Sequence, residues 1–177
     1  MIVLDTNILS ELCREVPDRA VLRWYALQFP RELYITSVTR GELVYGALIK
    51  APGRKRDILA AQVDGLIGVE FEHKQLAFDE HAADTFAELK ARCKRVGRPS
   101  STTDTMIAAI AKVYGYAVAT RNVRDLETFG LELINPFDAR GDLCPRDADR
   151  IYAELQRNYG RSVKDVATGA TYQYRTN

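Results

Sequence analysis

Met1-Ile2-Val3-Leu4-Asp5-Thr6-Asn7-Ile8-Leu9-Ser10-Glu11-Leu12 is the stretch on which the reading of the chain turns. An apolar run begins at Met1, too short to span a membrane and short enough to be a buried strand. Asp5 ends it. Thr6 and Asn7 offer cap chemistry for a helix whose apolar face is Ile8, Leu9 and Leu12. A carboxylate thus stands where a buried parallel strand hands over to a helix, and in open α/β sheets ligands gather at the carboxyl ends of strands. Taken alone, Asp5 also reads as an ordinary N-cap or turn residue. The question is whether other carboxylates converge on it.

The 177 residues suit one domain with a sizeable core and a short appendage, and 46% hydrophobic with 28% charged residues is ordinary globular composition. A formal net charge of +1 neither announces nor excludes a nucleic-acid partner, because clustering on a face matters more than the total. Cys13, Cys93 and Cys144 are far apart with no CxxC, and His73 and His81 are the only histidines, which argues against a zinc site. The amino-terminal apolar stretch lacks a preceding basic region and is too brief for a signal peptide. A cytoplasmic protein with reduced thiols is therefore expected.

Strand and helix signals alternate along the chain. Pro17 and Asp18 open a second helix with Val21, Trp24, Tyr25 and Leu27 on its apolar stripe, stopped by Pro30. Leu33-Tyr34-Ile35-Thr36 reads as a strand, and Ser37-Val38-Thr39 opens a helix carrying Gly41, Glu42 and Leu43. Thr39 and Glu42 fit a capping box, a structural role for that acid. After Ala51-Pro52-Gly53, a helix from Arg54 leads to Gly68-Val69-Glu70-Phe71, read as a weak third strand. The longest helical pattern runs from Asp79 to about Val96. Lys90, Arg92, Lys94, Arg95 and Arg98 crowd its end, suiting both a solvated helix terminus and a phosphate-attracting patch.

Ser100-Ser101-Thr102-Thr103-Asp104 is dense in cap-formers and precedes Met106-Ile107-Ala108-Ala109-Ile110-Ala111, a helix apolar nearly all round and hence buried. Asp104 should accordingly lie near the interior, with Gly115 closing the helix. Tyr116 to Thr120 is the next strand, followed by Arg121-Asn122-Val123-Arg124-Asp125 turning into a short helix. Leu131 to Ile134 is the last strand, closed by Asn135-Pro136. This alternation predicts a parallel α/β sheet covered on both faces. Residues 1–137 read as one domain and 138–177 as an extension, with an amphipathic helix expected from Asp147 to about Tyr159.

Asp5 after the first strand, Glu42 early in the helix after the second, and Asp104 opening the buried helix recur at equivalent places. Carboxylates converging without cations repel one another. A hard divalent cation such as Mg²⁺ or Mn²⁺ resolves that repulsion, since it prefers oxygen ligands and retains water.

Leu4-Asp5-Thr6-Asn7, Thr39-Arg40-Gly41-Glu42, Asp104 to Ala109, Ala119-Thr120-Arg121-Asn122 with Asp125, and Asn135-Pro136 resemble, in order, the signatures of PIN-domain ribonucleases. Within that family the resemblance is to VapC-type toxins of toxin–antitoxin pairs, including the FitB-like branch, over roughly Met1 to Phe137. It implies strand order 3-2-1-4-5 and a Mg²⁺-dependent endoribonuclease in which Mn²⁺ can substitute. It also implies that Asp5 and Asp104 are metal ligands and Glu42 completes a catalytic triad of acids, with Thr6, Asn122 and Asp125 in support. Arg92, Lys94, Arg95 and Arg98 are the expected RNA contacts. The implied partners are an RNA substrate and a protein antitoxin with a DNA-binding portion, in a homodimer or hetero-oligomer and with no membrane association. Many members carry an acid where Asn122 stands, so a second metal would depend on Asp125.

Other readings fit less well. A phosphohydrolase of the haloacid dehalogenase type needs a second aspartate two residues after the first, where this chain has Asn7. A receiver domain needs an acidic pair before a mid-chain aspartate, and none is evident. A catalytically inactive PIN-like module that binds RNA or a partner is the alternative that shares the fold.

Overall fold

The computed structural model of the protein describes residues 1–138. The appendage from residue 139 onward, including the helix expected from Asp147 to Tyr159, lies outside the described residues. Five short parallel strands form one sheet in the order β3-β2-β1-β4-β5. They are β1 (Ile2–Leu4), β2 (Leu33–Thr36), β3 (Gln75–Leu76), β4 (Ala117–Ala119) and β5 (Leu133–Ile134). The helices are α1 (Thr6–Leu12), α2 (Arg19–Ala26), α3 (Ser37–Leu48), α4 (Arg54–Gly65), α5 (Glu80–Arg95), α6 (Thr102–Tyr114) and α7 (Val123–Leu126).

Alternation along β1 sorts the core into two layers. Leu4 packs with Ile8, Leu9, Leu12, Val21, Leu43 and Val63, the buried faces of α1 to α4. Val3 points the other way, into Leu89, Cys93, Ile107, Ile110 and Phe129 from α5, α6 and the segment after α7. Successive strand residues face opposite sides of a sheet, so a central strand must be apolar throughout. β1 meets that demand and pairs with β2 on one side and β4 on the other. The chain runs outward from β1 through β2 to β3, then returns to lay β4 and β5 on the opposite side. The topological switch point therefore falls between the carboxyl ends of β1 and β4.

Several boundaries differ from expectation. Residues 66–70 form a π-helical turn continuing α4 rather than a third strand. Leu66 and Ile67 are buried there while Val69 is 72% exposed, a one-sided pattern that a covered strand would not leave. The edge strand β3 follows at Gln75–Leu76, pairing with Ile35 and Thr36. Two residues, of which only Leu76 is buried, leave almost no pattern to read. Helix α2 ends at Ala26, before Pro30, which instead begins a 3₁₀ turn. Asp18 caps α2 rather than sitting in its first turn. The buried Glu11 carboxylate accepts the Asp18 N–H at 2.9 Å and pairs with Arg14 at 3.2 Å, fixing the turn between α1 and α2.

The cap of α3 is Thr36, not Thr39. Its hydroxyl oxygen accepts the Thr39 N–H at 3.0 Å and shares a 2.9 Å hydrogen bond with the Thr39 hydroxyl. Glu42 therefore takes no part in a capping box. Helix α6 ends at Gly115, whose φ of 66° is the left-handed conformation that closes helices. The described cysteines, Cys13 and Cys93, are free thiols, and burial pushes the Cys13 thiol up to about 11. Among the described residues no helix is long and apolar enough to cross a membrane.

Thr36 is fully buried and its hydroxyl anchors the start of the helix that carries Glu42. Thr36→Val should cost about 1–2 kcal/mol, the usual loss for a removed cap, measured as a lower urea midpoint at unchanged slope.

Candidate active site

The segment after β1 keeps one more ladder bond, from the Asp5 N–H to the Ala119 carbonyl at 3.0 Å, before α1 begins. The side chain of Asp5 is consequently carried to the switch point and is only 4% exposed. Three donors hold it. Oδ1 accepts the Thr6 N–H at 2.7 Å; Oδ2 accepts the Asn7 amide at 2.6 Å and the Thr120 hydroxyl at 2.6 Å. Asp5 thus does serve as the N-cap of α1, and its capping role accounts for one of these bonds.

Thr6 links the next acid. Its hydroxyl donates to Glu42 Oε2 at 2.5 Å, bringing α3 against the start of α1. Asp104 lies in the first turn of α6 behind the Ser101 cap, whose hydroxyl accepts the Asp104 N–H at 3.0 Å. It is partly exposed rather than interior; the buried residues of α6 begin at Thr105. The reason is geometric: N-terminal turns stand at the sheet rim, while the apolar body of the helix lies beneath.

Asp5 registers all of this electrostatically. Burial pushes its carboxyl above the ordinary aspartate range, the Thr120 and Thr6 hydrogen bonds pull it back, and the charges of Asp104 and Glu42 raise it again. Of the three acids singled out in the sequence, Asp104 and Glu42 thus both lie near enough for their charges to act on Asp5.

The remaining candidates divide. The Asn122 N–H donates to the Thr120 hydroxyl at 2.9 Å, but the Asn122 side chain is exposed. Asp125 is exposed on α7, its N–H bonded to the Asn122 carbonyl at 3.1 Å, and makes no hydrogen bond to the acids. Arg92, Lys94, Arg95 and Arg98 are all exposed and make no ion pair with the acid site among the described residues. Arg98 borders an open groove with Arg124 and Asp125, and Lys94 a separate pocket with Cys93 and Pro99.

Asn7 and Thr120 were absent from the residue set drawn from sequence. Asn7 donates to Thr120 Oγ1 at 3.2 Å as well as to Asp5, and its side-chain Oδ1 accepts the Arg121 N–H at 3.1 Å. Thr120 is fully buried. The available signal was their place in the runs Leu4-Asp5-Thr6-Asn7 and Ala119-Thr120-Arg121-Asn122, in the first turn of α1 and just past β4.

Among the described residues no three His, Cys, Asp or Glu side chains come close enough to enclose a metal. An all-protein cage is therefore absent. What is present suits a hard cation that keeps most of its waters: oxygen donors only, a buried carboxylate with one uncommitted acceptor position on Oδ1, and two more carboxylates raising the local negative potential.

The parallel sheet carries a carboxylate at its switch point, with two more acids acting on it. The family model described as PIN domain matches residues 2–129. The chain is 38% identical over 138 residues to the VapC ribonuclease Y4jK of Sinorhizobium fredii, covering 78% of this chain and 99% of that one. It is 31% identical to Toxin FitB of Neisseria gonorrhoeae, covering 77% and 99%. The solved structure of FitAB bound to an IR36 DNA fragment matches with a TM-score of 0.75 at 29% identity, over 81% of this chain and all of that one. DNA-bound VapBC from Salmonella typhimurium matches at 0.65 and 29%, over 76% and 97%. The chain belongs to the PIN-domain family and, within it, to the VapC ribonucleases.

Asp104→Asn removes one of the charges that raise Asp5. Without divalent metal its melting temperature should equal or exceed that of the unsubstituted chain, by about 2 °C and no more than about 1 kcal/mol given the exposure of Asp104. An aspartate whose folded value is raised contributes stability that is full in acid and lost as pH rises through that folded value. The gap between the two proteins should accordingly be widest near neutrality and close as Asp5 is protonated. Adding Mg²⁺ should stabilise the unsubstituted chain and not Asp104→Asn, as followed by thermal unfolding in EDTA and in MgCl₂.

Proposed function

We propose that this chain is a Mg²⁺-dependent endoribonuclease toxin, with Mn²⁺ able to substitute, held inactive by a cognate antitoxin. The observation that carries the reading is the buried Asp5 carboxylate under the added negative field of Asp104 and Glu42. Burying a charge among like charges is costly unless a cation or a proton relieves it. A module that only bound RNA or a partner would gain nothing from that cost.

In this reading Asp5, through Oδ1, and Asp104 hold the cation. When bound, it supplies neutralisation of the phosphodiester charge and acidifies a water at neutral pH. Glu42, steadied by the Thr6 hydroxyl, orients the attacking water and takes up its proton. Asn7 and Thr120 keep Asp5 aimed into the crevice. Asn122 contributes an uncharged amide at the rim, and the exposed Asp125 adds negative potential there. One cation is the better account of this donor set.

The tRNA(fMet)-specific endonuclease VapC of Shigella flexneri, 32% identical over 128 residues, supports RNA as the substrate class. The FitAB and VapBC complexes on DNA support an antitoxin whose own DNA-binding portion carries the pair to an operator. A homodimer or hetero-oligomer with that antitoxin, working in the cytoplasm, completes the proposal.

Total RNA incubated with chain freed of antitoxin should give discrete fragments with MgCl₂, none with EDTA, and at least 100-fold less product with Asp104→Asn, roughly the scale of a lost catalytic group. Metal-independent fragments would sink the assignment. Replacing Arg92, Lys94, Arg95 and Arg98 together with alanine should raise KM and flatten the salt dependence of RNA binding by about 0.7 in log–log slope per lost phosphate contact. An unchanged slope would make the patch plain solvated surface.

A further inference from the structure

Asp5 has two carboxylate oxygens, and the fold treats them unequally. Oδ1 accepts a single hydrogen bond, from the Thr6 N–H at 2.7 Å. Oδ2 accepts two, from the Asn7 amide and the Thr120 hydroxyl, both at 2.6 Å. A carboxylate oxygen offers about two acceptor positions, so Oδ2 is filled and Oδ1 keeps one.

The two donors on Oδ2 are themselves anchored. The Asn7 side-chain Oδ1 accepts the Arg121 N–H at 3.1 Å, which fixes the amide plane and aims its nitrogen at Asp5. Thr120 Oγ1 accepts the Asn122 N–H at 2.9 Å and the Asn7 amide at 3.2 Å, so its single proton is left for Asp5. Thr120 is fully buried just past the end of β4. The clamp joins the residues that follow β1 to those that follow β4.

We propose that Asn7 and Thr120 are positioning residues that make Asp5 a one-oxygen ligand, and that this selects small octahedral cations over larger ones. The inference rests on the reading that the acid site takes a divalent cation. Mg²⁺ demands near-ideal octahedral geometry at about 2.0–2.1 Å and is satisfied by single carboxylate oxygens and water. Ca²⁺ accepts about six to eight oxygens and commonly takes both oxygens of one carboxylate. With Oδ2 occupied, the two-oxygen mode costs two short hydrogen bonds. Mg²⁺ loses nothing by the clamp, and Ca²⁺ loses a ligand.

The test measures cation affinity and not turnover. Metal-stripped full-length chain is titrated calorimetrically with MgCl₂ alone and with CaCl₂ alone, for the unsubstituted protein, Thr120→Ser, Thr120→Val and Asn7→Ala. Thr120→Ser keeps the hydroxyl and should keep the Mg²⁺:Ca²⁺ affinity ratio. Thr120→Val and Asn7→Ala should each lower that ratio by about 10-fold, the scale on which partners of a metal ligand act. Should Thr120→Val fail to fold, Asn7→Ala decides, because Asn7 is only partly buried. Equal losses for both cations, or an unchanged ratio, would overturn the positioning role while leaving the metal site standing. An unsubstituted chain that binds neither cation would overturn the proposed function along with it.

Discussion

Everything near the crevice depends on the pairing of β1 with β4. These two strands are distant in sequence and adjacent in the sheet, and the Asp5 N–H extends their ladder one residue past β1. That extra bond sets the height at which the chain leaves the sheet. It places Asp5 beside Thr120, across 115 residues of chain, at a separation where hydroxyl and carboxylate form a 2.6 Å bond. Had the register slipped by one residue, Asp5 would face the opposite layer and the two would not meet.

The acid site is the cost side of that arrangement. A carboxylate buried under the field of two others raises its own affinity for a proton, and the surrounding donors recover only part of the penalty. The rest of the fold tolerates it because both layers beneath are closely filled: Leu4, Ile8 and Leu9 on one side, Val3, Ile107 and Ile110 on the other, all fully or almost fully buried. Strain of this kind is what a functional site retains while the core supplies the stability. Thr6 and Thr120 divide the labour, one reaching Glu42 and the other Asp5.

Hydrogen bonding also separates Glu42 from the role its sequence context suggests. Thr39 and Glu42 have the spacing of a capping box, yet α3 begins earlier, at a cap furnished by Thr36. The cap moves because Thr36 ends β2, and its hydroxyl reaches the Thr39 N–H as soon as the strand gives way to the helix. Glu42 then lies farther into α3, where the Thr6 hydroxyl of α1 donates to it. The basic run shows a similar limit. Its charges crowd the end of α5 as the sequence indicates, but Arg98 borders a groove with Arg124 and Asp125 instead of meeting the acids.

The sequence by itself determined the central strand, the long helices α5 and α6, the alternation that makes the sheet parallel, and the identities of the three acids. Each is a local fact: an apolar run ending at Asp5, helical periodicity over many residues, a cap cluster before Asp104. Only the tertiary structure decided where β3 lies, because Gln75–Leu76 is an edge strand of two residues whose pairing with β2 is set by its neighbour and not by its own pattern. Asn7 and Thr120 stand in runs that the sequence singles out, but only the tertiary structure joins them on one carboxylate, since the β1–β4 register brings Thr120 to Asp5 beside the local Asn7 amide. Periodicity reports which face of an element is buried; it carries no information on which distant atom will complete a carboxylate's hydrogen bonds.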